Sequence, residues 1–476
     1  MAAFVAAGSL LLGGLALRST LRRRLLTNWS GNQTFKPTSL HQPTSLPELQ
    51  ALVAAARAVK VLGSAHSFSA LACPARGGAL VSLARLDLGA PSVDERTGVC
   101  WVPGHYTYAA LVAHLERAAP AWSLHNMASL PHITVAGSIA TGTHGSGVAC
   151  GNLASCVVGL ELVLADGSAL RASPASHPQE WPGLVVHLGA LGVVTRVALQ
   201  LVPAFWVRQV CYEGLSLEAV AAAFDEIMCA GYSVSLFTTW RGPVFEQCWR
   251  KCVCAAPGGS GGGGGEEEGL EGLFPPAWHG ATRALHNLHP IPGVSAQPCT
   301  PQLGERGPAH HRLPHFRAEF TPSAGEELQS EFFVARSDAP AALRALSALR
   351  EHIAPLLHIC EVRTIAADSM WLSMASGRDS VALHFTWLKQ WGGASGVAAL
   401  LPRLEAALAP FAPRPHWGKL SSPAGWAAAG ARYGEGLRSF AALRARLDPQ
   451  GKFMNDALQA LLTGSAGGAS AEGVQV

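Results

Sequence analysis

The chain has 476 residues, enough for two or three domains with cores of their own. Its 49% hydrophobic and 14% charged residues describe a globular protein and exclude a disordered one. A formal net charge of +3, with no basic stripe among aromatics, gives no electrostatic ground for nucleic-acid binding.

The chain opens on an apolar run from Ala2 to Leu17, followed by Arg18 and Arg22 to Arg24, with no acidic residue before Glu48. That run sits at the short edge of the ~17–25 residues a spanning helix needs, and its charge follows rather than precedes it. Residues 1–27 are expected to lie outside the fold, as a membrane anchor, an organelle transit peptide or a signal peptide. They point to a membrane-associated or organellar protein, with a cytoplasmic one as the alternative.

From Leu46 the apolar residues Leu49, Leu52 and Val53 recur at helical spacing, and Ser45 with Glu48 forms an S-x-x-E start signal. Strands are expected at Val59–Leu62, Ala79–Leu83, Val99–Val102, Val157–Leu164 and Leu191–Val202, with a helix at Tyr108–Arg117. Asp166-Gly167 marks a hairpin. This alternation predicts an α+β domain over residues 28–205. A second domain of different texture follows over 206–413. It contains an insertion at about 255–311 that begins with a Gly/Glu-rich tract, read as a mobile surface loop. Beyond it, strands are expected at Arg317–Phe320, Glu331–Val334 and Val381–Trp387, and an amphipathic helix at Ala341–His352 behind Pro340. Residues 414–462 form a closing segment and 463–476 a disordered tail.

Two loops carry the strongest chemical signal. Gly63-Ser64-Ala65-His66-Ser67 follows the Val59 strand, and Asn126 to Gly147 is rich in Gly, Ser and Thr. Glycine lets the backbone approach a ligand closely, and successive N–H groups form anion-binding concavities, for which a diphosphate is a natural guest. Downstream, Glu361-Val362-Arg363 and His384-Phe385-Thr386 each place two polar side chains on one strand face, because i and i+2 project together. His416-Trp417-Gly418-Lys419 is a compact polar segment. Taken singly, each has a plainer reading: a backbone-bonded loop histidine, a solvated ion pair, half-buried strand residues and a surface turn. Eleven cysteines at irregular spacing read as thiols of a reducing compartment. Cys248, Cys252 and Cys254 lack a matching ligand pair and no H-E-x-x-H occurs, so no metal site is expected.

In order and spacing these segments resemble the vanillyl-alcohol-oxidase-type (PCMH-type) FAD flavoproteins, in particular the alditol oxidases and sugar-1,4-lactone oxidases, over about Asn28 to Asp456. The resemblance implies a two-lobed FAD-binding domain, an α+β substrate (cap) domain, and a C-terminal segment that returns to the flavin. It implies FAD held by Gly63, Ser64, Ala65, Ser67, Ser129, Thr134, Gly137, Thr141, Gly142, Thr143, His144, Val193 and His416, with a covalent bond from His66 to the flavin 8α carbon. Ser129, Glu361, Arg363 and Thr386 would hold substrate hydroxyls. Lys419 would lie beside flavin N5 and His384 would orient the reacting group.

The implied reaction is oxidation of the primary alcohol of a xylitol- or sorbitol-like polyol to an aldose. Hydride passes from C1 to N5, and O2 or another acceptor takes the electrons, O2 becoming H2O2. The alternative is an aldonolactone (gulono-, galactono- or arabinono-1,4-lactone) oxidase or dehydrogenase of ascorbate-type biosynthesis. Arg363 and Lys419 could stabilise a developing alkoxide, while Lys419 and His384 remain rival bases. Ala128 lies where small changes would control oxygen access. A non-catalytic flavin-fold protein would have been favoured by loss of Glu361 or Lys419, and both are present. The oligomeric state is not legible.

Overall fold

The computed structural model describes residues 26–256, 269–320, 325–390, 392–393 and 396–464. The apolar run at 2–17, the Gly/Glu tract at 257–268 and the tail from 465 lie outside the described residues. Among the described residues no helix is long and apolar enough to cross a membrane.

The N-terminal lobe is built mainly on two sheets. A parallel one orders Leu40–His41, Ala79–Val81 and Val59–Val61. The helix Leu46–Ala55 buries Leu49 and Val53. Ser45 caps it by accepting from Glu48 N, and the Glu48 carboxylate accepts from Thr44 N at 2.7 Å, which satisfies otherwise orphaned donors. The second sheet is antiparallel, in the order Ala169–Ala172, Val157–Val163, Val193–Gln200, Val99–Pro103 and Ser92–Asp94. The helix Tyr108–Ala118 packs Leu111 and Leu115 into the same core.

The other lobe is built on one large antiparallel sheet. Its central strands run in the order Trp206–Ser216, Val244–Cys254, Ser233–Thr238, Leu357–Ile365, Ser380–Leu388 and Glu327–Ala335. The helices Leu217–Ala222, Ala339–Ala348 and Val397–Leu408 share a core with one face, through Val220, Leu343, Leu346 and Leu404 against Val362, Leu383 and Phe385. Side chains alternate along a strand. Glu361 and Arg363, His384 and Thr386, Gln329 and Glu331 therefore all project from the opposite face, toward the N-terminal lobe. The register aligns them in rows: Glu331 opposes His384, which opposes Glu361, which opposes Phe237.

The closing segment is stitched back to the N-terminal lobe. Lys452 Nζ donates to the carbonyls of Val53, Ala54 and Ala165 at 2.6–3.0 Å. Asn455 Nδ2 donates to those of Ala70, Leu71 and Cys73 at 2.8–3.2 Å. Ser69 Oγ donates to Trp417 O at 2.7 Å and Phe68 N to Gly418 O at 2.7 Å, which fixes the His66 and Lys419 loops together.

Several elements differ from expectation. Arg317–Phe320 is not a strand: Arg317 N donates to Pro298 O and its guanidinium Nε to Cys299 O at 2.8 Å, so loop partners take its hydrogen bonds. The described part of the 255–311 stretch is an edge of the sheet rather than a bare loop. The strand Ala281–Arg283 pairs with Trp206–Ser216, and Phe274, Ala281 and Cys299 are buried. The helix behind Ala335 begins at Ala339, with Pro340 in its first turn, and ends at Ala348 before a short turn Arg350–Ile353. Thr463, placed in the tail, ends the helix Asp456–Thr463.

Candidate active site

A cavity of about 310 Å³ runs between the lobes. Its first end is built from small residues. Gly63 and Gly137 both face Thr134, and a Cβ would meet Thr134 Oγ1 at 2.5 Å from Gly63 and 2.8 Å from Gly137. Ala65 holds φ +57°, a costly conformation for a residue with a Cβ. Its carbonyl accepts from Trp29 N at 2.8 Å, which keeps it there. The wall also includes Ser64, Ser67, Ser129, Thr141, Thr143 and His144. The two glycines let their loops pack closely on Thr134, and the wall so formed is rimmed by hydroxyls and backbone, chemistry that fits a dinucleotide.

His66 sits on this wall, stacked on Trp29 with ring centroids 5.6 Å apart. Its Nδ1 is buried without a hydrogen bond of normal geometry. Burial pulls its pKa down to about 4, against the Ser64 backbone, so the ring is neutral at pH 7 and keeps a lone pair.

At the other end the charged rows face the cavity. Glu331 is 1% exposed. It accepts from His144 Nε2 at 2.9 Å and Arg363 Nη2 at 3.3 Å, and its second oxygen lies at ion-pair distance, 3.4 Å, from His384 Nδ1. Burial opposes its charge, but His144 and His384 hold the carboxyl well below the usual range. Glu361 accepts from His315 Nε2 at 2.6 Å and lies 3.5 Å from Arg363 Nε. Here too burial opposes, while Arg363 and His315 win and keep the carboxylate charged. Arg363 Nη1 also donates to Ser129 Oγ at 3.3 Å, so one guanidinium spans both lobes. His384 Nε2 lies 3.2 Å from Thr386 Oγ1. Burial lowers the His384 pKa.

Lys419 Nζ donates to Gln329 Oε1 and lies 5.5 Å from the centroid of the Phe68 ring. Burial brings its pKa down to about 8, with Glu331 opposing. His416 shares the buried wall, its Nδ1 accepting from Gly418 N at 2.9 Å. Behind Glu361, Lys251 Nζ reaches the Leu313 carbonyl, Pro314 O at 3.4 Å and His315 Nδ1 at 3.4 Å.

The structure thus brings Ser129, Glu361, Arg363, His384, Thr386, His416 and Lys419 to one cavity with the His66 loop. Gly142 does not line it. Val193 does not either: its side chain is fully buried in the core with Leu49, Val53 and Val163. Sequence reading missed Lys251, His315, Gln329 and Glu331. Glu331 opens a strand that had been recognised, whereas Gln329 lies two residues before the expected start; the strand in fact runs over Glu327–Ala335, which puts both on one face.

Comparisons with known proteins agree with this architecture. A family model described as FAD binding domain matches residues 37–173, and one described as D-arabinono-1,4-lactone oxidase matches residues 326–461. Alditol oxidase of a Streptomyces species is 46% identical over 440 residues, covering 92% of this chain and 99% of that protein. L-gulono-1,4-lactone dehydrogenase of Mycobacterium tuberculosis is 29% identical over 467 residues, covering 90% and 97%. Cholesterol oxidase from B. sterolicum shares the fold, with a TM-score of 0.69 at 14% identity over 92% of this chain and 96% of that one. On these matches the chain belongs to the alditol oxidase family and is an FAD-dependent oxidoreductase.

Proposed function

We propose that this protein oxidises the primary alcohol of an open-chain polyol of the xylitol or sorbitol type to the aldose, with O2 as the electron acceptor and H2O2 as product. Residues 28–205 and 414–462 serve the flavin, and 206–413 the substrate. The observation that carries this reading is the buried row of Glu331, His384 and Glu361 with Arg363 and Lys419, facing a cavity whose other end fits a dinucleotide. Charge buried at this density is costly unless paired, and a many-hydroxyl ligand would use the donors and acceptors left over.

Bound FAD supplies the hydride acceptor, taking two electrons and one proton's worth of hydrogen from the alcohol carbon. His66, with its neutral ring and a lone pair left available on the cavity wall, is suited to covalent attachment. On the substrate side, His315 and Arg363 both reach Glu361 Oε1, which leaves Oε2 to accept from hydroxyls. His315 is held in one tautomer: Nδ1 accepts from Lys251, so Nε2 donates. Lys251 and His315 are therefore positioning residues for Glu361. Glu331 acts alike on His384, drawing the proton to Nδ1 and leaving Nε2, beside Thr386, as the acceptor for the hydroxyl proton. Lys419 and Arg363 are donors that stabilise the alkoxide as it forms.

A lactone substrate is the second reading, favoured by the match of residues 326–461 to the D-arabinono-1,4-lactone oxidase model. Anaerobic mixing of the yellow protein with xylitol, sorbitol, gulonolactone and galactonolactone separates the two. Bleaching by the polyols supports the first reading, and bleaching by the lactones alone replaces it with the second. Membrane association through residues 2–17 belongs to the same proposal. It is tested by whether the chain from Asn28 onward leaves the membrane fraction.

A further inference from the structure

Far from the cavity between the lobes, three ligand-type side chains converge. Glu116 lies in the last turns of the helix Tyr108–Ala118, and His310 and His311 lie in the short turn Ala309–His311 at the edge of the other lobe. Both imidazoles aim Nε2 at one carboxylate oxygen, Glu116 Oε1, at 2.9 Å from His310 and 2.5 Å from His311. All three ligand atoms lie within 4.8 Å of one another. Neighbouring residues rarely point to one spot; here the two rings sit 4.8 Å apart at 68°, so both can face it.

Arg312, next in sequence, is turned away to Glu305 at 3.1 Å and does not pair with Glu116. The side chains of Glu116 and His311 are 38% and 46% exposed, so they can rotate and solvent can enter. A second cavity of about 210 Å³ adjoins both histidines. Bonds of about 2.0–2.2 Å to an ion would set each nitrogen roughly 3.3 Å from the Glu116 oxygen, several tenths of an ångström wider than now. Two imidazoles and one carboxylate with a position open to water is a donor set for a borderline ion such as Zn2+, not for Ca2+ or Mg2+.

We propose that Glu116, His310 and His311 form a binding site for one divalent first-row transition ion of the Zn2+ class, joining residues 194 and 195 positions apart. The sequence expectation of no metal site looked for ligands close together in the chain and could not see it.

The test is calorimetric titration of metal-stripped, flavin-loaded full chain with Zn2+, repeated on His310→Ala, His311→Ala and Glu116→Gln. Each variant should keep the wild-type rate of flavin reduction without metal, which shows it is folded. One Zn2+ per chain is expected in the wild type, with that binding lost in both histidine variants and weakened in Glu116→Gln. Binding should weaken as pH falls, because the imidazoles must shed protons. No one-ion binding in the wild type, or the same isotherm in the histidine variants, would overturn the site.

Discussion

The two faces of the large sheet are both buried, yet they are opposites. One presents Val362, Leu383 and Phe385 to three helices. The other presents Glu361, Arg363, His384 and Glu331 to the N-terminal lobe. Leu383 and His384 are neighbours in the chain and fall on different faces. The apolar face is worth stability, because burial of each large side chain contributes about 1.5–3 kcal/mol. The charged face contributes little of that kind and forfeits desolvation energy, so a fold selected for stability alone would not keep it. Burial by itself does not separate a core from a site; the chemistry of the buried face does.

The largest effect should come from the charged face. Lys419→Met removes a donor from the cavity wall, and flavin reduction by substrate should slow about 10²–10³-fold with FAD content unchanged. Stopped-flow reduction against flavin-to-protein ratio checks this, and an unchanged rate removes Lys419 from the reaction. On the apolar face, Leu383→Ala should lower unfolding free energy by about 2–5 kcal/mol and leave the reduction rate within a few-fold. A large loss of rate at unchanged stability would erase the distinction between the faces.

The two faces should also separate with pH. Lys419 has a folded pKa of about 8, below the ordinary 10.5. Its protonated form therefore costs stability fully below about 8, and the cost is relieved as pH rises from there through 10.5. Activity runs the other way: reduction should fall as pH climbs through about 8 and the donor loses its charge. Lys419→Arg, slower but permanently charged, should show no such fall; a fall like the wild type's would assign the titration to another group.

The smallest effect on folding is expected at the other lobe. His66→Ala should retain FAD while losing the fluorescent band that a covalent flavin leaves in a denaturing gel. A band that persists would move the attachment elsewhere.

The sequence made much of this legible. Gly63 and Gly137 stand out because a ligand groove favours small residues, His66 because it lies in the same short loop as Gly63, and Glu361 with Arg363 because strand periodicity is local. Glu331 was inside a recognised strand but is functional only through its register with His384, set by pairing across 53 positions that no local pattern encodes. His315 was hidden for a related reason. It lies between a stretch read as an insertion and a strand that does not form, and Lys251 became relevant only once His315 was placed. Val193 shows the converse: a family role was expected at a position whose side chain serves the core.

The most direct test of the account pairs the two neighbours on opposite faces. Anaerobic flavin reduction by a polyol that bleaches the wild type, and the thermal midpoint, are measured on His384→Gln and Leu383→Ala. His384→Gln is expected to keep its midpoint and lose about 10²-fold or more in rate, while Leu383→Ala lowers the midpoint and keeps the rate. A His384→Gln protein that reduces its flavin at the wild-type rate would contradict the account.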